Sequence, residues 1–244
     1  MSKQGIASSW AIETRGVTKL YGDRYALRGI DLKVSHGDRL VIFGPNGAGK
    51  TTLLKILSTL VKPSSGNVWL NGIDIRDEPT QIRRQISLVS HRTYLYDDLT
   101  IYENLKFYGK MYDVTNLEQQ IQKVISWVEL ESRINDRVGT LSHGLQQRVS
   151  IARAILHNPL ILLLDEPEVG LDPHVSGVIS DVLGSINSDI GTVVMTTHNL
   201  ERGLELSGRV IILNSGEIVY QASRYELDTA NFRQVYDECI RTSR

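Results

Sequence analysis

Cysteine is almost missing from this sequence, because Cys239 is the only one among 244 residues. A single thiol cannot form an internal disulfide, and its place in the charged C-terminal segment matches no redox or metal-binding motif. A disulfide-stabilised domain is therefore excluded, and we expect a protein of a reducing compartment.

Long hydrophobic runs are missing as well, since the longest apolar stretch covers only residues 160–164. A membrane-spanning helix needs about 20 apolar residues. The first residues contain no apolar stretch of secretory length, so we expect neither a signal peptide nor a lipid anchor. Membrane contact is expected only through a partner protein.

An excess of charge of either sign is also missing. The 27 Lys and Arg residues are balanced by 28 Asp and Glu residues, which leaves a net charge of -1. Nonspecific binding of nucleic acid usually rests on a broad cationic field, and this balance creates none. We expect no nucleic-acid partner.

What the sequence does contain is a series of short, β-favouring apolar runs separated by helical patterns. These runs lie at residues 40–43, 86–89, 160–164, 192–196 and 210–213. Continuous apolar strands that alternate with helices are typical of a parallel sheet covered on both faces. The predicted fold class is α/β with a mostly parallel sheet.

Other strand and turn patterns surround this sheet. Residues 12–34 and 67–70 are rich in β-formers and turns, which favours an antiparallel accessory sheet. Residues 214–217 predict a hairpin turn. The helix after Gly49 is predicted to continue to the Lys-Pro-Ser-Ser-Gly breaker at residues 62–66.

Helical signals replace strands between residues 94 and 156. Thr100 and Glu103 have the spacing of a capping box, and so do Thr115 and Glu118. We predict one domain over residues 1–244 with an inserted α-helical subdomain. Its predicted parts are an α/β core with the antiparallel lobe (1–93 and 157–223), the helical subdomain (94–156) and a helical tail (224–244).

Residues 44–51 read GPNGAGKT and fit the motif G-x-x-x-x-G-K-[ST], with a predicted strand before them and a helix after them. Glycines let backbone N–H groups turn toward phosphate oxygens, and the helix adds the positive end of its dipole. We expect Lys50 to bind the β- and γ-phosphates of ATP and Thr51 to bind Mg²⁺. The predicted phosphate-binding residues are Gly44, Pro45, Asn46, Gly47, Ala48, Gly49, Lys50, Thr51 and Thr52.

Two carboxylates, Asp165 and Glu166, follow the apolar run at residues 160–164. Charge at this position is costly unless a cation lies opposite, and a Mg-nucleotide supplies one. We predict that Asp165 holds Mg²⁺ through water and that Glu166 orients or deprotonates the attacking water. The alternative, a solvated acidic strand end, is less favoured beside a phosphate-binding loop.

Residues 141–148 read LSHGLQQR and are similar to the LSGGQ signature of the ABC ATPase family. Together with the motifs above, the resemblance covers about residues 12–223 and implies a P-loop, RecA-like core. It also implies an ATP-dependent homodimer in which Ser142 and Gly144 of one chain contact the ATP bound by the other. A plain helix N-cap is the alternative reading of Ser142.

Further positions match this family in their order along the chain. Tyr21 matches an aromatic residue that stacks on adenine, Asp172 a residue of the loop that couples the two sites, and His198 a histidine that contacts the γ-phosphate. The resemblance implies an integral-membrane permease as partner and a peripheral location on the cytoplasmic face of the membrane.

Three residues, His91, His143 and Leu145, depart from the family pattern. His91 stands where most relatives have the glutamine that links the nucleotide to the helical subdomain, and it is a candidate catalytic and metal-site residue. Imidazole is a poorer Mg²⁺ ligand, so we expect His91 to bind water or the γ-phosphate and to titrate near neutral pH. His143 replaces a glycine and Leu145 a glutamine of the signature. A side chain at 143 requires a negative φ or tolerated strain, which predicts weaker closure of the dimer.

Residues 91–100 and 103–108 resemble the ATP-binding subunit of the haem exporters of cytochrome c maturation. Drug-efflux ATPases carry similar Glu-Asn-Leu segments, so a multidrug-type exporter is one alternative. A soluble ABC ATPase of iron-sulfur assembly is another. A small-molecule P-loop kinase would need an acceptor pocket and a lid. We predict an exporter ATPase.

Overall fold

The computed structural model describes residues 10–167 and 191–241, which form two β-sheets and a group of helices. The strands are β1 (Trp10–Tyr21), β2 (Arg24–Ser35), β3 (Arg39–Phe43), β4 (Ser65–Leu70), β5 (Ile73–Asp74), β6 (Ile86–Val89), β7 (Ile161–Asp165), β8 (Thr192–Thr196), β9 (Arg209–Asn214) and β10 (Glu217–Ser223). The helices are α1 (Lys50–Leu57), α2 (Pro79–Gln85), α3 (Ile101–Met111), α4 (Leu117–Trp127), α5 (His143–Ile155), α6 (Leu200–Leu206) and α7 (Phe232–Arg241), with short 3-10 helices at Glu131–Arg133 and Val138–Thr140.

The larger sheet has the strand order β10-β9-β3-β8-β7-β6. Strands β9, β3, β8, β7 and β6 are parallel, and β10 returns antiparallel to β9. The turn between β9 and β10 consists of Ser215 and Gly216, whose φ angles of 50° and 86° suit a tight hairpin. The predicted α/β fold with a mostly parallel sheet is confirmed, and so is the hairpin.

Alternate residues of the central strands belong to two separate cores on opposite faces of this sheet. In β3, Val41 and Phe43 pack with the apolar residues of α3, α4, α5 and α7. Leu40 and Ile42 pack with α1 and the smaller sheet. Burial on both faces explains why these strands read as continuous apolar runs in the sequence.

The smaller sheet is antiparallel, with the order β2-β1-β4-β5, and confirms the predicted accessory sheet. It is tied to the larger sheet at the β9–β10 turn. The Arg28 N–H donates to the Gly216 carbonyl (2.8 Å), and the Gly216 N–H donates to the Ala48 carbonyl (3.0 Å). The turn thus fixes the loop after β3 against the smaller sheet.

Helices α3, α4 and α5 pack on one another in the region predicted to be helical. The capping box at α3 is confirmed, since the Glu103 N–H donates to Thr100 Oγ1 (3.1 Å) and the Thr100 N–H donates to Glu103 Oε2 (2.8 Å). The second predicted capping box is wrong. Asn116 has a left-handed φ of 51°, so α4 begins one residue later and Glu118 is too close to its start to reach back.

The end of α1 also differs from the prediction. The helix stops at Leu57 instead of continuing toward residue 62. Thr59 takes a φ of 61°, and the N–H groups of Leu60 and Val61 both turn back to the Lys55 carbonyl (2.9 and 3.1 Å). Leu60 therefore leaves the buried helix face and is 54% exposed.

Two helices, α2 and α6, have only seven residues each and show too little periodicity to be recognised from sequence. Helix α7 lies in the predicted C-terminal tail, where the Phe232 ring packs 5.2 Å from the Phe43 ring at the end of β3. Within residues 10–167 and 191–241, every helix is too short or too polar to cross a bilayer.

Candidate active site

The candidate residues gather at one edge of the larger sheet. The loop at residues 44–49 follows β3, Asp165 ends β7 and is followed by Glu166, and Thr196 ends β8. Because parallel strands present their carboxyl ends at the same edge, residues distant in sequence meet there. This edge is where open α/β sheets bind ligands.

The loop after β3 depends on glycine for its shape. Gly49 has a φ of 109°, and a Cβ atom there would lie 2.5 Å from the Ala26 carbonyl oxygen and 2.8 Å from Leu27 Cδ2. Helix α1 begins immediately afterwards at Lys50, and its first turn has no capping hydrogen bond from a side chain of the described residues. Its backbone N–H groups are therefore available to an anion.

Lys50 is held inside this loop. Its Nζ donates to the carbonyls of Gly44 (2.7 Å) and Pro45 (3.2 Å), and its side chain is only 5% exposed. The same Nζ lies 3.3 Å from Glu166 Oε1. A buried ammonium surrounded by the loop is positioned to bind phosphate oxygens.

Asp165 is buried and accepts two hydroxyl donors on the same oxygen. Thr51 Oγ1 donates to Asp165 Oδ1 at 3.1 Å, and Thr196 Oγ1 donates to it at 2.8 Å. A hydroxyl and a carboxylate are hard oxygen ligands that suit Mg²⁺. No group of three or more His, Cys, Asp or Glu side chains is placed to hold a metal ion in the part of the chain that the structure describes. Thr51 as a direct ligand and Asp165 through water therefore fit a Mg²⁺ ion that takes its other ligands from phosphate and water.

Glu166 lies between Lys50 and His198 and contacts both side chains. Its Oε2 lies 3.5 Å from Nδ1 of His198, which is largely exposed. Glu166 has a left-handed φ of 47°, and its N–H donates to Thr196 Oγ1 at 3.0 Å. Strained backbone at a non-glycine residue persists where surrounding contacts hold it, and it concentrates at functional sites.

A cavity of about 370 Å³ opens in front of these groups. Its lining residues are Tyr21, Arg24, Tyr25, Ala26, residues 45–52 and Glu166. The Tyr21 ring is half exposed at the edge of this cavity, with Lys19 Nζ 5.0 Å from its centre. An exposed aromatic face here is available to stack on a base.

Sequence reasoning missed four residues of this site, Arg24, Tyr25, Ala26 and Thr196. Arg24 and Tyr25 line the cavity because Arg24 pairs with Tyr21 across the β1–β2 turn, and that turn was the signal available. Thr196 was missed because its contact with Asp165 arises only from the pairing of β7 with β8.

Several predicted residues do not join the cavity. His91 is exposed in a loop and is not among the described lining residues; neither are Ser142 and Gly144. His198 is not among the described lining residues either, but it contacts Glu166, which lines the cavity. Asp172 lies outside the described residues.

The signature segment has a regular helical geometry. Ser142 caps α5, accepting the Leu145 N–H at 3.4 Å, and the helix begins at His143, so Gly144 lies within its first turn. His143 does not have a positive φ. The strain considered for a side chain at this position is therefore absent, because helical backbone accepts any L-residue there.

One protein family and several known proteins match this chain in sequence. Residues 27–169 match the family described as ABC transporter. The chain is 34% identical over 218 residues to the linearmycin resistance ATP-binding protein LnrL of Bacillus subtilis (strain 168), covering 88% of this chain and 70% of that protein. It is 35% identical over 219 residues to the spermidine/putrescine import ATP-binding protein PotA of Pasteurella multocida (strain Pm70), covering 88% of this chain and 59% of that protein.

A solved structure is similar over most of the chain. The dimeric ATP-binding cassette MJ0796, in a post-hydrolysis state bound to ADP and Pi, superposes with a TM-score of 0.80 at 32% identity. The superposition covers 87% of this chain and 98% of that one. The range matched by the family, residues 27–169, includes the loop after β3, the signature segment and both carboxylates.

Proposed function

The chain belongs to the ABC transporter family, and we propose that it is the Mg-ATP-hydrolysing subunit of an exporter that works as a homodimer on a separate membrane permease. Family membership makes it an ATP hydrolase and the ATPase subunit of a transporter. The observation that supports the proposed site is that Lys50, the Thr51–Asp165 pair and Glu166 meet at one edge of the sheet.

In the proposed mechanism, Lys50 and the backbone N–H groups of the non-proline residues in 44–52 bind the β- and γ-phosphates. The phosphate oxygens then replace Glu166 as the anionic partner of Lys50. Glu166 is released to orient the attacking water and to accept its proton, while His198 contacts the γ-phosphate. Tyr21 stacks on the adenine.

Thr51 and Asp165 would hold the Mg²⁺ ion. When bound, the ion supplies neutralisation of the charge on the transferred phosphoryl group. Thr196 keeps the Asp165 carboxylate oriented through its hydroxyl. His91 is proposed to bind water or the γ-phosphate at a later stage, since it lies outside the cavity lining in this conformation.

The homodimer is proposed from the signature segment. Ser142 is exposed and lies outside the described cavity lining of its own chain, which supports its use by a second chain. We propose that Ser142 and Gly144 contact the nucleotide of the partner copy and that Asp172 couples the two sites. A peripheral position at the cytoplasmic face of the membrane follows from the same proposal.

Export, and haem export in particular, is proposed from residues 91–100 and 103–108, which resemble the haem exporter subunit. The relatives above are named for linearmycin resistance and for spermidine/putrescine import, so their names do not select one direction.

Affinity purification of the tagged chain from solubilised membranes and from cytosol tests the transporter proposal. We expect an integral-membrane protein to co-purify from the membrane fraction. In vesicles that contain both proteins, haem should move away from the membrane face that carries the ATPase, and only when ATP is hydrolysed. Recovery only from cytosol, together with iron-sulfur assembly proteins, would instead support the soluble alternative.

A further inference from the structure

A second cavity, of about 450 Å³, lies apart from the candidate active site, and the described linings of the two cavities share no residue. It forms where the segment from the end of α1 to the start of β4 meets helix α2 and the residues that precede it. We call it the Lys62 cavity. Among the residues that the structure describes, its lining contains three basic side chains, Lys62, Arg76 and Arg83, and no acidic one.

The positive charge of this lining is only partly balanced. Arg76 forms an ion pair with Asp74 at 2.6 Å, whereas neither Lys62 nor Arg83 pairs with a carboxylate within residues 10–167 and 191–241. A further ammonium group lies beside the segment, because Lys19 Nζ donates to the Lys62 carbonyl at 2.9 Å. Neighbouring like charges repel one another, so a bound anion stabilises this group of cations.

Hydroxyl groups line the cavity together with these cations. Thr59 Oγ1 accepts the Arg83 Nε–H at 3.0 Å, and Ser64 Oγ accepts the Leu20 N–H at 3.0 Å. Because each oxygen serves as an acceptor, its own hydrogen is still able to donate. The described side chains of the lining thus offer hydroxyl and cationic donors to a ligand, with no carboxylate among them to compete for those donors.

The rest of the lining is apolar and held in place by the fold. Val61, Pro63, Ile75 and Pro79 contribute apolar side chains. The Val61 N–H donates to the Lys55 carbonyl at 3.1 Å, and the Ile75 N–H donates to the Val68 carbonyl at 3.1 Å. Two prolines restrict the backbone further. A cavity whose walls are fixed in this way loses little freedom when a ligand binds.

We propose that the Lys62 cavity binds a phosphate monoester whose organic group is small and apolar. Such an ester carries about 1.5 to 2 negative charges at pH 7 and three acceptor oxygens, which match the unpaired charges of Lys62 and Arg83 and the two hydroxyls. Arginine binds phosphate with two parallel hydrogen bonds, and lysine binds it as a point charge. A carboxylate has one charge and two oxygens, so it leaves more of these donors unused. The apolar side chains favour an ester over inorganic phosphate.

Phenyl phosphate is the probe that tests this binding. The full chain is first saturated with Mg-ADP, so that the probe does not occupy the candidate active site. Saturation-transfer NMR on the phenyl protons then gives the dissociation constant. We expect saturable binding of phenyl phosphate. Phenol, which keeps the apolar group and lacks the phosphate, should bind at least about tenfold more weakly.

Matched variants locate the site. Arg83→Gln should weaken phenyl phosphate binding about tenfold or more, because it removes a charge-assisted contact to phosphate. Arg84→Gln is its control, since Arg84 pairs with Asp113 at 2.8 Å and does not line the cavity. Lys62→Gln should act like Arg83→Gln, and Lys55→Gln is its control on the exposed face of α1. All four side chains are exposed, so these variants leave the core intact.

The same phosphate chemistry occurs in soluble esters and in a lipid headgroup, and a second measurement distinguishes these two sources. Vesicles of phosphatidylcholine with and without phosphatidic acid are sedimented with the chain. Cosedimentation that needs phosphatidic acid, and that is lost in Arg83→Gln but kept in Arg84→Gln, would identify a lipid monoester. Binding of phenyl phosphate without such cosedimentation would identify a soluble ester. Either result supports the proposed site.

The inference is overturned if the chain binds neither phenyl phosphate nor the phosphatidic acid vesicles, if phenol binds as well as phenyl phosphate, or if Arg83→Gln and Arg84→Gln behave alike. ATP hydrolysis by the wild-type chain is measured in parallel. Hydrolysis without phosphate monoester binding rejects this inference alone, whereas an inactive wild-type chain rejects the proposed function.

Discussion

The hydroxyl of Thr51 donates to the Asp165 carboxylate at 3.1 Å, although 114 positions separate the two residues in the sequence. Thr51 belongs to the first turn of α1, and Asp165 is the last residue of β7. The contact brings the two residues proposed to hold Mg²⁺ together before the ion binds. Preorganised ligands lower the cost of ordering the metal site.

This contact predicts how threonine variants respond to magnesium. Thr51→Val removes the hydroxyl and keeps the shape, so the Mg²⁺ concentration needed for half-maximal ATP hydrolysis should rise about 10- to 100-fold. Thr51→Ser keeps the hydroxyl and should stay close to wild type. Hydrolysis rates measured across a Mg²⁺ titration give this concentration for each variant. Equal curves for Thr51→Val and Thr51→Ser would refute the assignment of Thr51 as a Mg²⁺ ligand.

Glu166 is predicted to be the residue that activates water. Glu166→Gln should lower the ATP hydrolysis rate by about 10²-fold or more while ATP binding is kept, because the amide cannot accept the proton. Phosphate release gives the rate, and titration with a fluorescent nucleotide gives the affinity. Glu217→Gln, at the exposed start of β10, is the control. Retained hydrolysis in Glu166→Gln would assign the base to another residue.

Gly49 is predicted to be essential for the shape of the phosphate-binding loop. Gly49→Ala places a methyl group against the Ala26 carbonyl at a φ of 109°. We expect a loss of about 1–3 kcal/mol in the free energy of unfolding, together with weaker ATP binding. At Gly47 the φ is also positive, but the nearest atom to an added Cβ is the Arg24 guanidinium at 4.0 Å. Gly47→Ala should therefore cost only about 1 kcal/mol, and an equal cost at both sites, measured by denaturant unfolding, would contradict the packing argument.

His143 is predicted to limit closure of the dimer by the bulk of its side chain, since its backbone is unstrained. It is exposed beside the N-cap Ser142, where a bound phosphate would approach. His143→Gly should increase the ATP-dependent dimer fraction, while weakening α5 by about 0.5–1 kcal/mol. Light scattering of the Glu166→Gln variant with ATP, with and without His143→Gly, measures this fraction. An unchanged fraction would show that the imidazole does not hinder closure.

His157 is predicted to make stability depend on pH. Burial lowers the pKa of its imidazole from 6.5 to about 4, with a further contribution from the charge of Arg153. Its Nε2 lies 3.3 Å from the Ile86 carbonyl, its ring stacks on Tyr112 at 4.0 Å, and its Nδ1 has no partner in the described part of the chain. A proton added in the folded state would therefore lie buried and unpaired.

The sign of this effect follows from the lowered pKa. The unfolded chain takes up the proton near pH 6.5, and the folded chain only near pH 4. The contribution of His157 to the free energy of unfolding is thus fully present above pH 6.5. It falls by about 1.4 kcal/mol per pH unit down to pH 4, which is roughly 3 kcal/mol in all. In His157→Phe this part of the decline should disappear, whereas it should persist in His91→Gln, which changes an exposed histidine. Urea unfolding at several pH values measures it, and parallel curves for wild type and His157→Phe would disprove the assignment.

Local patterns in the sequence were enough to predict the elements that carry the proposed catalytic residues. The strand before residue 44, the glycine loop and the two carboxylates after residue 164 were all predicted, because a motif and an apolar run need no information from elsewhere in the chain. The capping box at Thr100 belongs to the same class, since its two residues lie within one helical turn.

Only the tertiary structure decided which of these elements are neighbours. Thr196 contacts Asp165 because β8 lies beside β7, and Arg24 enters the cavity because the smaller sheet folds over the loop after β3. The end of α1 and the false capping box at Thr115 were missed for a local reason, because Thr59 and Asn116 take left-handed backbone angles that the residue patterns do not mark. The strand order of a parallel sheet and the burial of a side chain arise from long-range packing, which sequence periodicity does not encode.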